Sequence, residues 1–172
     1  MRLFIAFNFE EVVDSLTGIQ NKLKDCGTGG NYTSRENLHL TLAFIGEYDD
    51  PDEILDVMDT VPFRPIEMRF DRLQLFNDMA LVRIADNPGL ESYVRRLRRA
   101  LAEAGIPFDK KKFMAHITLI RKVSFPGDKQ KKGWPEYSLD NVRVDHVSLM
   151  RSDRGKSGMI YTEIGSVEGD LA

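Results

Sequence analysis

Two short stretches of this chain carry the same reactive groups at the same spacing, His39-Leu40-Thr41-Leu42 and His116-Ile117-Thr118-Leu119. In a β-strand, residues i and i+2 share a face, so each stretch turns its apolar residues into a core and presents one imidazole and one hydroxyl together on the other side. A groove faced by two such pairs suits phosphoester chemistry. Histidine, with an ordinary pKa of about 6.5, serves as base in one form and as acid in the other near neutral pH. One neutral imidazole would take a proton from the attacking water or hydroxyl, and one imidazolium would protonate the departing oxygen. The hydroxyls of Thr41 and Thr118 would donate to the non-bridging phosphate oxygens. This scheme needs neither metal nor cofactor. Neither strand offers a second metal ligand at i+2, because threonine is a poor one.

A duplicated unit is expected to position the two pairs. Val12, Leu16, Ile19 and Leu23 recur at helical spacing between Glu10 and Lys24, and Gly27 follows as a stop. Leu90, Val94, Leu97, Leu101 and Ala104 repeat the stripe, closed by Gly105. Helix, glycine, polar loop and a His-x-Thr-Leu strand thus occur twice, which predicts two similar lobes with the pairs facing each other across a groove. Around this frame, Leu3 to Phe7 reads as a buried strand, Gly27 to Asn31 as a flexible loop, and Gly46 to Asp50 as a turn. Pro51 opens a short helix through Met58. Met68 to Leu75 and Met79 to Ile84 read as a strand pair turned at Asn77-Asp78. Val142 to Met150 reads as a strand, Arg151 to Gly158 as a charged loop and Met159 to Ile164 as a closing strand. The third histidine, His146, has Ser148 two residues on, but no helix and glycine precede it, and it is read as structural.

The 172 residues are 42% hydrophobic and carry a formal charge of −3, enough for a real core and the wrong sign for a protein that coats long duplexes. A single cysteine, Cys26, allows no internal disulfide, and a reducing cytoplasmic setting fits best. Met1 to Phe9 shows no small-residue cleavage pattern, and no apolar run approaches the roughly 18 residues of a membrane span, so export and membrane insertion are not expected. Charge is uneven: from Arg95 to Lys132 there are twelve Lys or Arg against three carboxylates. Such asymmetry suits a protein that holds an anionic ligand on one side. Arg95, Arg96, Arg98 and Arg99 read equally well as the solvated face of the second helix. Lys110, Lys111 and Lys112, in the loop entering the second His strand, are better placed to meet RNA phosphates. Strand parity sets Arg121 opposite His116, and only a bulge or the strand end would turn it toward a phosphate. Phe113, Phe125, Trp134 and Tyr161 are candidates for base stacking, although aromatics of this kind are more often core.

The paired His-x-Thr-Leu stretches resemble the signature of the two-histidine phosphoesterases, in particular the RNA 2′,3′-cyclic phosphodiesterases, also called the LigT-like 2′-5′ RNA ligase family. Arg2-Leu3-Phe4-Ile5-Ala6, Glu36-Asn37-Leu38 before His39, Phe44-Ile45-Gly46-Glu47, and Gly158-Met159-Ile160-Tyr161 are similar to that family too. Ala115 stands where the family often has proline. The resemblance covers nearly the whole chain. It implies an α+β bilobal two-histidine phosphoesterase fold over residues 1–172 as one domain, with two pseudo-symmetric lobes, each an antiparallel sheet with flanking helices, around a central cleft. It also implies metal-independent hydrolysis of RNA 2′,3′-cyclic phosphate ends to 2′-phosphomonoesters, with His39 as proton donor and His116 as acceptor. RNA 3′ ends, tRNA halves among them, would be the partners, reversible 2′-5′ joining a further activity, and a monomer the expected state. Two other readings compete with turnover of RNA ends: an RNA-end-binding module that does not turn over, and a phosphodiesterase of a small cyclic nucleotide.

Overall fold

The apolar N-terminal run becomes β1 (Arg2–Asn8), in which Leu3, Ile5 and Phe7 are fully buried. A computed structural model describes residues 1–125 and 136–170, so Trp134, Lys129, Lys131 and Lys132 lie outside the described residues. The helical stripes form α1 (Val13–Asp25) and α3 (Pro88–Glu103) as their periodicity predicts, and a shorter α2 (Pro51–Thr60) lies between them. Proline stands at the start of α2 and α3. At both it is preceded by a capping side chain: Asp50 accepts from the Glu53 amide at 3.3 Å, and Asn87 from the Leu90 amide at 3.0 Å. Caps of this kind contribute about 1 kcal/mol each.

The strands form two four-stranded antiparallel sheets. One carries β10 (Gly158–Glu168), β9 (His146–Gly155), β1 and β3 (His39–Glu47), in that order. The other carries β2 (Gly29–Tyr32), β7 (His116–Ser124), β6 (Met79–Ile84) and β5 (Phe70–Phe76). A two-stranded piece pairs β4 (Ile66–Met68) with β8 (Val142–Val144). The fold is α+β and bilobal, and the lobes are interleaved in sequence: β2 leaves the first half to pair with β7, and β9 and β10 return to the N-terminal sheet. One continuous apolar cluster runs under both sheets, from Leu3 and Leu40 to Ile117 and Leu119. A smaller cluster of Phe4, Ala6 and Met150 lies on the opposite face of the first sheet, with Phe44 and Tyr161 against it. No helix among the described residues is long and apolar enough to cross a membrane.

Several local readings change, and the strand expected from Val142 to Met150 breaks at Asp145 into β8 and β9, which pair in different sheets. The His-x-Thr strands run on to Glu47 and Ser124, so the expected turn at Gly46 is still strand. The charged stretch after Met150 is not a loop but the end of β9, which turns into β10 through Lys156 and Ser157 alone. Most telling is Gly29–Tyr32, expected as flexible and found as β2. Its glycines serve close approach. Gly30 sits at φ +135°, and a Cβ there would lie 2.6 Å from Ile120 Cγ2 and 2.8 Å from the Arg121 carbonyl. Gly30→Ala therefore strains a backbone only glycine adopts readily and pushes into β7, at an expected cost of about 2 kcal/mol or more. Urea denaturation checks this as a lower midpoint at unchanged slope.

Candidate active site

Each His strand carries an extra residue just past its threonine, and β3 a second at Ile45. In β3, Thr41 faces Ala6 and Ala43 faces Ile5, leaving Leu42 unmatched; in β7, Thr118 faces Leu81 and Ile120 faces Ala80, leaving Leu119 unmatched. A bulge of this sort reverses the alternation beyond it. Leu42 and Ala43 are both buried, as are Leu119 and Ile120, and the next residues, Phe44 and Arg121, emerge on the face already occupied by histidine and threonine. Arg121 is thus on the site side. Its positive charge lowers the pKa of both His39 and His116, so it lies near both rings, and its Nη1 donates to Met79 Sδ at 3.4 Å.

The extra residues leave carbonyls that the helices hold. Arg98 of α3 donates from Nε and Nη2 to the Leu42 carbonyl at 3.1 and 2.9 Å, and from Nη1 to the Lys111 carbonyl at 2.8 Å. Gln20 of α1 donates from Nε2 to the Leu119 carbonyl at 3.0 Å and to the Thr33 carbonyl at 2.9 Å. Gln20 and Arg98 occupy matching places, each seven residues before the glycine that ends its stripe. Each helix therefore fastens the His strand of the other half. Arg98 is accordingly a structural cation rather than part of a solvated face, while Arg95, Arg96 and Arg99 are exposed.

The imidazoles are held alike. Nδ1 of His39 meets the Asn37 carbonyl at 2.7 Å, and Nδ1 of His116 meets the Met114 carbonyl at 2.6 Å, two residues back in each case. A carbonyl only accepts, so Nδ1 carries the proton in both rings and Nε2 is the edge left for chemistry. His39 Nε2 lies 2.8 Å from Thr41 Oγ1; His116 Nε2 has no hydrogen-bond partner among the described residues. Burial lowers both pKa values, the carbonyl bonds oppose it, and Arg121 adds to it at both rings, joined by His116 at His39 and by Arg83 at His116. His39 also packs against Phe4 at 5.0 Å and edge-on against Tyr161 at 5.3 Å between ring centroids. The buried Asn37 ties this corner together, its Nδ2 donating to the Met159 carbonyl at the start of β10.

From Thr41 and His116 a cavity of about 630 Å³ opens away from His39, floored by Phe44, Ile84, Phe113 and Met114. Lys111 and Lys112 reach its rim, and Lys110, exposed in the same loop, does not line it. Thr118 lies on the His116 face of β7, its carbonyl accepting from Thr33 Oγ1 at 3.0 Å. Of the aromatics, Phe113 lines the cavity under Arg98 and Tyr161 abuts His39. His146 stays apart, bonded to Asp145 at 2.9 Å. Among the described residues no group of three or more His, Cys, Asp or Glu gathers as a metal would need.

A family model described as LigT like Phosphoesterase matches the chain twice, over residues 9–84 and 82–161, once for each half. The chain belongs to this phosphoesterase family. Its LigT-like relatives include proteins named RNA 2′,3′-cyclic phosphodiesterase from Methanocaldococcus jannaschii, 25% identical over 95% of this chain and 98% of the relative, and from Thermotoga maritima, 28% identical over 94% and 91%. The LigT-like fold is matched by the crystal structure of Escherichia coli LigT complexed with 3′-AMP, with a TM-score of 0.83 at 22% identity, covering 98% of this chain and 96% of that one.

Sequence reasoning left out Gln20, Asn37, Phe4 and Arg83. Arg83 stands alone in the apolar run Met79 to Ile84, and Gln20 interrupts an otherwise buried helical stripe; a polar residue at a buried position is the signal for both. The two lowered histidines carry a stability consequence. A charged imidazole is disfavoured in the folded LigT-like site, so below about pH 6.5 the unfolded chain binds more protons than the folded one and stability falls as pH falls toward the folded-state values. Above pH 6.5 this contribution is fully present. Denaturation midpoints at pH 5 and 7.5 should differ in that sense, and the difference should shrink in the His39→Gln, His116→Gln double variant.

Proposed function

We propose that this protein hydrolyses 2′,3′-cyclic phosphate at RNA ends to a 2′-phosphomonoester, without a metal. The observation that supports this best is the matched pair of imidazoles, each with Nδ1–H anchored on the carbonyl two residues back and each feeling the charge of Arg121. Relatives named RNA 2′,3′-cyclic phosphodiesterase over nearly their whole length favour the same substrate class.

In this reading the cyclic phosphate sits between the Nε2 atoms. Neutral His116 takes a proton from water as its oxygen bonds to phosphorus; the bond from phosphorus to O3′ breaks, and protonated His39 gives its proton to O3′. The water proton ends on His116 and the His39 proton on the product, so one exchange with solvent restores the pair. Thr41, Thr118 and the Arg121 guanidinium stabilise the charge that gathers on the non-bridging oxygens. Thr41 also steers His39: its hydroxyl shares a hydrogen bond with the Nε2 that must deliver the proton. Lys111 and Lys112 are placed to meet phosphates further along an RNA strand, and Lys110 only at longer reach.

His39→Ala and His116→Ala should each lower turnover of an oligonucleotide 2′,3′-cyclic phosphate by about 10² or more, and the double variant should lose little beyond either one. Wild-type turnover should persist in excess chelator and give the 2′-phosphate isomer, identified by chromatography. Because the free protein holds both histidines below the ordinary value and the reaction needs one of each form, kcat/KM should trace a bell with its maximum on the acid side of pH 6.5. Near-normal turnover by either single variant would sink the two-histidine mechanism, and binding without turnover would leave an RNA-end-binding module.

A further inference from the structure

Arg83 is the one charged residue in β6 and lies directly opposite His116 in the β6–β7 pairing. Side chains so opposed share a face, with Cβ atoms about 4.5–5.5 Å apart. The charges acting on His39 are Arg121 and His116, whereas those acting on His116 are Arg83 and Arg121. Arg121 thus acts on both histidines and Arg83 on His116 alone, and Arg83 lines the cavity together with His116. The guanidinium is steadied from β5, Nη1 donating to Gln74 Oε1 at 3.3 Å, but its Nε is buried with no hydrogen-bond partner, and no carboxylate pairs with it among the described residues. A half-buried cation on the wall of a cavity of nucleotide size, with no carboxylate paired to it, is a site short of an anion. Asp86, Glu91 and Asp109 line the same cavity, as do Lys111 and Lys112.

We propose that Arg83 and the cavity wall form a second anion subsite, which holds the phosphate one nucleoside before the reacting one while the intervening nucleoside lies on the Phe44 and Phe113 floor. The inference rests on the cyclic-phosphate reading above. It makes the protein select an end bearing a preceding phosphate.

The test compares adenosine 2′,3′-cyclic phosphate with the same compound carrying a 5′-phosphate, and with adenylyl-adenosine 2′,3′-cyclic phosphate joined by either a phosphodiester or a neutral methylphosphonate. The charged compounds should exceed the uncharged ones in kcat/KM by about tenfold or more, chiefly through KM. Arg83→Gln should bring that ratio near one, whatever the lost charge does to His116 on all substrates alike, and Arg83→Lys should keep part of it. Equal kcat/KM with and without the 5′-phosphate, a methylphosphonate as good as the phosphodiester, or an unchanged ratio in Arg83→Gln would overturn the subsite. Calorimetry with adenosine 2′,5′-bisphosphate against adenosine 2′-phosphate reads the same preference without turnover. If the bisphosphate binds tighter and no cyclic phosphate is hydrolysed, the catalytic reading fails and the subsite stands; equal affinity overturns the subsite.

Discussion

The site depends on one extra residue in each of two strands. Without the bulges at Leu42 and Leu119, strict alternation would bury Phe44 and Arg121 and give the cleft only histidine and threonine. With them, four side chains from two strands converge on one face, at the cost of a break in each ladder. A carbonyl stranded in such a break would cost about 1–3 kcal/mol if left unsatisfied. Arg98 and Gln20 satisfy these two, each reaching from the helix of the opposite half. The Leu119 carbonyl also accepts from the Thr33 amide at 2.9 Å, so at both bulges the repairing bonds cross from one half to the other.

The duplication is close in backbone and unequal in charge. Phe44 and Arg121 occupy matching places after the bulges, and Asn8 and Arg83 matching places opposite the two histidines. In both comparisons the second sheet has the cation. The first sheet instead surrounds its histidine with Phe4 and Tyr161 and uses Asn8 internally, its Nδ2 meeting Met150 Sδ at 3.4 Å. An anion entering the cleft is drawn toward the second sheet, while the His39 side supplies a dry, hydrogen-bonded ring. Two similar frames thus give two chemically distinct half-sites, something a symmetric pair could not do.

Much of this was legible in the residues. Helical stripes with stop glycines, alternation at His-x-Thr and the repeat of the whole unit were enough to place His39, Thr41, His116 and Thr118 on strands of two lobes. Arg121 was ambiguous for a physical reason: parity counts through a strand, and a bulge, which has no composition of its own here, resets the count. Gly29-Gly30 misled because the same residue serves flexibility and close approach, and only the neighbouring β7 distinguishes them. Arg98 looked like one more exposed arginine beside Arg95, Arg96 and Arg99, since its partner carbonyl, at Leu42, is 56 residues away. Long-range backbone acceptors leave no mark in local sequence.

The lowered histidines give the arrangement a further property. Burial, with Arg121 at both rings and Arg83 at His116, disfavours the charged form of each imidazole in the free protein. A bound phosphate opposes Arg121 and raises the proton affinity of the rings beside it, because an anion favours their charged form. Of the two, His39 has only Arg121 and its sister histidine against it, whereas His116 also faces Arg83. A second phosphate at Arg83 would reduce the penalty on His116 as well. The two sheets therefore surround their histidines with unequal charge, Arg83 acting on His116 alone, a difference that the twin His-x-Thr motifs by themselves do not contain.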